Sequence, residues 1–309
     1  MAKQEKAAAA GGKAASVAGQ EGGARPLIIS RASLATRADA ARTADPDRFF
    51  IRTSRKDGYG HDPEVARKAE SLIAAAREGV VSGALTTLRE IEDFIARPYI
   101  AAFHPQGEVL KRRDLGRETI AGGAKLRSVA TGMMPKHFPY MDRVNNLLAR
   151  NAHHTRTLQV GNIQLHLVTT LEIAEVRGTG IPIDAMDGYN GPGWLPTEDV
   201  ESARLLDVRR EELLAELLIA GQESPAGATL ERILKIMAEI EWLSAQRWRY
   251  DRGTAGIQQV AARALLEAVG VETGRYCVDV DPNLEALTSD LDDYVAKYSA
   301  LYESNPRFF

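Results

Sequence analysis

The stretch LHLVTTLEIAEVRGTG, residues 165–180, decides how the rest of the chain is read. Apolar residues run through it to Val176, and Gly178, Thr179 and Gly180 follow. The pattern predicts the end of a helix over 155–177, stopped by a glycine loop. Inside the apolar run sits His166. On a helix its neighbours at three and four residues are Asn162, Ile163, Thr169, Thr170 and Ile173, a face both apolar and small-polar. Two readings of His166 stand side by side. It is a core histidine bonded to a carbonyl, or it presents one ring nitrogen from an apolar wall, as proteins do to a haem iron.

Helical patterns dominate outward from this stretch. Asp62-Pro63 supplies an N-cap and a proline at the first helical position, predicting a helix over 64–77. A second, over 84–96, carries Leu85, Leu88, Ile91, Phe94 and Ile95 and should stop before Pro98. Further helices are expected over 140–150, 197–220, 229–250, 256–269 and 283–302. Residues 104–136, with Lys111-Arg112-Arg113 and Gly122-Gly123, read as loop. Residues 276–280 alternate like one strand, which makes no sheet alone. The expectation is an all-α fold, one compact domain over 26–309 with about seven to nine helices. Residues 1–25, rich in Ala, Gly, Lys, Gln and Glu, read as a disordered tail without the apolar core of a secretory signal.

The totals narrow the function classes. The chain has 309 residues, 44% of them hydrophobic and 26% charged, ordinary values for a globular protein. Its 42 acids against 39 bases leave a net charge of −3, so no nucleic-acid or anionic-membrane partner is expected. One cysteine, Cys277, excludes an intrachain disulfide and any zinc site built on several thiolates, and fits a reducing cytoplasm. No run reaches the roughly 20 apolar residues that a membrane-spanning helix requires. Walker, GxSxG and HExxH patterns are absent.

Other stretches carry residues suited to chemistry. Gly178-Thr179-Gly180 allows close backbone approach and offers a hydroxyl beside amide hydrogens, which suits a carboxylate or phosphate; it serves equally as a glycine C-cap. Residues 248–256, WRYDRGTAG, form a second glycine loop in which Arg249 or Arg252 could pair with a carboxylate. That loop resembles the adenylylating Fic motif. Trp248 stands where that motif has its histidine and Gly256 where it has arginine, so Fic chemistry is not expected. His153, His154, the 111–113 basic run, and Asp290, Asp292 and Asp293 read as surface.

His166 and the Gly178–Gly180 loop, twelve residues apart, together resemble the tryptophan 2,3-dioxygenase and indoleamine dioxygenase superfamily. In that all-helical haem fold a proximal histidine lies on a long helix and a Gly-Thr-Gly-Gly loop follows. The resemblance covers about residues 158–182 and departs at Ile181, where a second glycine belongs. In size the chain is nearer to the branch of haem-dependent aromatic oxygenases of antibiotic pathways, typified by tyrosine hydroxylases.

That resemblance implies haem b held by His166, and a substrate pocket bounded by Gly178, Thr179 and Gly180. It also implies a distal histidine, for which His61, in a glycine-flexed loop ahead of a helix, is the candidate general acid–base; an exposed loop residue is the alternative. The activity implied is hydroxylation of tyrosine to 3,4-dihydroxyphenylalanine with hydrogen peroxide or dioxygen. Dioxygenation of an indole is a second reading, and a non-enzymatic helical binding or assembly protein a third. A homodimer is compatible with each.

Overall fold

The computed structural model describes residues 46–49, 63–103, 155–160, 163–169, 196–198, 200–247, 249–250 and 253–309. Among them the fold is all-α in character, with seven α-helices and a few short strands. The helices are α1 Pro63–Ser82, α2 Leu88–Phe103, α3 Val200–Ala220, α4 Gly227–Arg247, α5 Thr254–Ala268, α6 Pro282–Thr288 and α7 Leu291–Lys297. Two 3-10 turns, Pro46–Phe49 and Tyr298–Leu301, flank this set, the second continuing α7. Residues 1–25 and the expected helix over 140–150 lie outside the described residues.

Helix α5 lies at the centre, packed against α1, α2 and α4, while α4 carries α3, α6 and α7 on its other sides. Every residue of α5 from Ile257 to Ala268 is buried, polar ones included. A helix hydrophobic over most of its circumference can only be an interior helix. In α4 the spacing of Ile233, Ile236, Met237, Ile240 and Leu243 turns a fully buried stripe toward α5. Each such side chain contributes roughly 1.5–3 kcal/mol by leaving water.

Local chemistry sets the helix ends. Helix α1 runs through Gly79, because the side chain of Leu85 folds into the space that a Cβ there would occupy, 2.5 Å from Leu85 Cδ1. It ends at Gly83, whose φ of 73° lies in the left-handed region that glycine adopts at least cost. The N-terminus of α2 is a capping box: Glu90 N donates to Thr87 Oγ1 (3.1 Å), and Thr86 and Thr87 backbone amides donate to Glu90 Oε2. Glu211 of α3 accepts from the next two amides, Leu88 N at 2.9 Å and Arg89 N at 3.3 Å. These caps explain why α2 begins at Leu88 rather than at residue 84. It continues past Pro98, whose ring faces water beside the exposed Phe94.

Four expectations are corrected. Where a helix over 155–177 was predicted, the described residues form a β-hairpin, β1 Thr155–Val160 against β2 Ile163–Thr169, antiparallel, with Val160 opposite Ile163 and His166 opposite Thr157; residues 170–177 lie outside the described set. Its residues are β-branched at Thr155, Thr157, Val160, Ile163, Val168 and Thr169, and Leu158, Val160, Ile163, Leu165 and Leu167 alternate with other residues on a period of two. Gly161-Asn162 between the strands is a dipeptide that hairpin turns favour. Residues 196–198, expected at a helix start, form β3, whose Thr197 pairs with Val168 of β2. The final helix, expected over 283–302, is broken. Ser289 is extended, with φ −117° and ψ 155°, and its carbonyl accepts from Trp242 Nε1 at 3.0 Å. Residues 276–280 make an isolated bridge, Tyr276 to Tyr302, rather than a strand.

The contact between α5 and α2 is testable at one atom. A Cβ on Gly256 would lie 1.9 Å from the hydroxyl of the buried Tyr99. Gly256→Val should therefore lower stability by about 1–3 kcal/mol, despite the helix propensity gained on losing a glycine. Urea unfolding measures it, and an unchanged midpoint would show that Tyr99 is free to withdraw.

Candidate functional site

Of the residues assigned to the haem, its distal side and the substrate pocket, only His166 belongs to the described set. His61, Gly178, Thr179 and Gly180 lie outside it. His166 stands on strand β2, so the long apolar helix from which it was expected to face an iron is absent. Arg249, read as a partner for a substrate carboxylate, is buried against the protein's own acids, with Nη1 2.9 Å from Glu92 and Nη2 3.4 Å from Asp93. Asp290, Asp292 and Asp293 are exposed around the start of α7, as expected. Among the described residues no group of three metal-ligating side chains converges.

The densest polar chemistry lies where α4, α5 and α7 meet. Tyr294, Tyr298 and Tyr302 recur every four residues, so they line one side of α7 and the turn that continues it. All three are buried. Opposite them, Glu241 projects from α4, partly reachable by solvent. Tyr298 donates its hydroxyl hydrogen to Glu241 Oε1, and Tyr294 donates to Oε2 at 3.3 Å. Tyr302 donates to the Tyr298 oxygen at 3.2 Å, giving a chain of hydroxyls that ends on the carboxylate. The ring of Tyr302 stacks on Tyr276, centroids 4.9 Å apart, and the Arg263 guanidinium carbon lies 4.8 Å from the centroid of the Tyr276 ring.

Glu241 and Arg263 thus stand at the two ends of a run of tyrosine contacts. Arg263 is fully buried and donates to Thr273 Oγ1 (2.8 Å), the Gly274 carbonyl (3.1 Å) and the Arg48 carbonyl (2.7 Å). Its Nε has no hydrogen-bond partner among the described residues. Loss of water around Glu241 pushes its carboxyl up to about 7, against the opposing pull of the two tyrosine hydrogen bonds and of Arg263. Burial likewise pushes Tyr276 up to about 12 and raises the hydroxyls of Tyr294, Tyr298 and Tyr302 well above the usual tyrosine range. At neutral pH the cluster therefore holds neutral tyrosines and a carboxyl near its midpoint.

A second cluster joins α2, α3 and the end of α4. Glu92 of α2 receives Arg210 of α3 on Oε1 and Arg249 on Oε2, all three side chains buried. Asp207 accepts from Arg210 (3.0 Å) and Arg247 (3.2 Å), and Asp93 accepts from the Tyr250 hydroxyl at 2.9 Å. Three guanidiniums and three carboxylates satisfy one another. Each arginine is thereby held in place by protein groups rather than presented to a ligand.

Sequence reasoning missed both clusters. The signals were an acid, Glu241, four residues after the buried Met237 in an otherwise apolar stripe, and the four-residue recurrence of tyrosine. A charge on the buried face of a helix costs free energy unless it is answered there.

Two outcomes check these assignments. A carboxyl whose pKa is raised in the fold stabilises it below the unfolded value near 4.5, and that contribution is lost as pH climbs to about 7. Glu241→Gln should therefore match the wild type near pH 4.5 and exceed its stability at pH 8. A gain of about 1–3 kcal/mol is expected, from about 1.4 kcal/mol per unit reduced for the solvent contact of Glu241. Urea unfolding across that range checks it, and parallel pH profiles would contradict the assignment. Glu92→Ala strands two buried arginines and should cost about 3–5 kcal/mol, measured by the same method at neutral pH.

Residues 223–305 match the model of a family of avirulence proteins, AvrB_AvrC. The match spans about a quarter of the chain and runs from just before α4 to just past the Tyr298–Leu301 turn. No curated protein matches the chain. This finding corrects the expectation of a haem-dependent oxygenase, whether hydroxylating tyrosine in antibiotic biosynthesis or dioxygenating an indole. The similarity lies with avirulence proteins, in a segment that shares no residue with the Gly-Thr-Gly stretch.

Proposed function

We propose that this chain is an avirulence-type effector, a protein that acts by engaging a host protein and whose presence host resistance can detect. The observation that carries the reading is the similarity of residues 223–305 to the AvrB_AvrC avirulence family. That segment includes α4 to α7, and with them the Glu241 and Arg263 cluster. Two physical features favour action through binding. The arginines of the Glu92 and Asp207 cluster are answered by the protein's own carboxylates. The α4–α7 unit is held on a fully buried helix, a rigid support of the kind that recognition surfaces need.

The test is expression of the full chain inside leaf cells of host lines that differ in their resistance genes. Ion leakage and local cell death are expected in lines carrying a matching gene and not in their near-isogenic partners. A response that ignores genotype, or none across the panel, overturns the proposal.

A further inference from the structure

Helices α4 and α7 leave between them a groove of about 390 Å³, lined by Glu231, Leu234, Lys235, Asp292, Val295 and Ala296, with Tyr298 and Ser299 at one end. On α4 the lining residues fall at i, i+3 and i+4, and on α7 at the same spacing, so each helix turns one narrow stripe to the groove. Leu234, Val295 and Ala296 make the trough apolar. Glu231, Lys235 and Asp292 are exposed along it.

These three charges differ from their neighbours. Glu223 and Arg232 pair with each other at the start of α4, and Arg209 gathers Glu212, Glu216 and Glu239 on the face toward α3. Glu231, Lys235 and Asp292 make no ion pair or hydrogen bond among the described residues. Glu231 and Lys235 even stand at the i, i+4 spacing and in the order that favours pairing on a helix. A trough of apolar side chains edged by unanswered charges, two acidic and one basic, has a definite complement. That complement is an amphipathic polypeptide segment with leucine-like residues on one stripe and basic residues flanking it.

We infer that the α4–α7 groove receives such a basic amphipathic segment of a partner protein, with basic residues meeting Glu231 and Asp292 and apolar ones on Leu234, Val295 and Ala296. The inference rests on the effector reading above and names the chemistry of the partner at one surface. Lys235 sets specificity: it opposes a segment that is basic throughout and favours one with an acid at its own position.

The probe is a short synthetic amphipathic helix carrying leucine and arginine on one face, labelled with fluorescein and titrated with the full chain by anisotropy. Glu231→Lys with Asp292→Lys should weaken binding about tenfold, and Lys235→Glu should tighten it about threefold. Ala296→Arg, at an exposed position in the trough, should block it. Glu64→Lys with Glu78→Lys on exposed positions of α1 changes the net charge equally and should leave binding within about twofold. Circular dichroism confirms that these surface variants fold. Equal binding by wild type and the α4–α7 double variant, or an equal loss in the α1 variant, overturns the groove.

The leaf-cell assay separates the two ideas. Genotype-dependent death that survives all groove variants overturns the groove and leaves the effector reading standing. Groove-dependent probe binding with no death in any line overturns the effector reading and leaves the groove as a polypeptide site.

Discussion

Helix α5 is buried on every side, and the elements around it are placed by what its polar residues require. Gln258 donates to the Ser244 carbonyl of α4 and accepts from Asn283 of α6 at 2.8 Å. Arg263 takes the carbonyls of Gly274 and Arg48 and the hydroxyl of Thr273. Glu267 receives Arg48 and, at 3.3 Å, Arg77 of α1. An interior helix made only of Leu and Ala could rotate or slide at small cost. One carrying an amide, a guanidinium and a carboxylate cannot, because each unanswered group costs about 1–3 kcal/mol or more. The 3-10 turn at Pro46–Phe49 is held in the same way: Arg48 bridges Glu70 and Glu267, and Phe49 enters the core.

How much was legible varied with how local the information is. The presence of helices α1 to α5 was readable from local spacing and punctuation, but not all their ends: α1 runs on to Ser82, α2 begins at Leu88 and passes Pro98, and Thr197 pairs in β3. Gly83 and Gly270 both adopt positive φ where a helix stops. The break at Ser289 was not readable, since its cause is an indole on another helix, Trp242. The hairpin was misread for a different reason. Residues 163–169 satisfy both a period of two and, loosely, a helical spacing, and in a run this short composition arbitrates better than periodicity. Six β-branched residues over 155–169, with Gly-Asn between two alternating runs, were the better evidence.

The site reading failed through dependence on a short motif. His166 with Gly178-Thr179-Gly180 carried weight only if a helix joined them, and β2 occupies the first part of that span. The interior carboxylates and guanidiniums left no comparable mark, because Glu92 lies more than a hundred residues from both Arg210 and Arg249 and meets them only in three dimensions. Charged residues distributed through a sequence look like surface until their partners are known.

The hydroxyl chain that ends on Glu241 has a polarity. With the carboxylate ionised, Tyr302 gives its hydrogen to Tyr298, and Tyr298 and Tyr294 give theirs to Glu241. A proton arriving on Glu241 adds a donor where two already point. The neutral carboxyl accepts more weakly than the carboxylate, and for Tyr294 a second acceptor, the carbonyl of Pro282, lies at 3.4 Å. Tyr294 thus stands between an acceptor on α4 and one at the start of α6. The join between three helices is held by hydrogens whose direction follows the charge on one carboxyl.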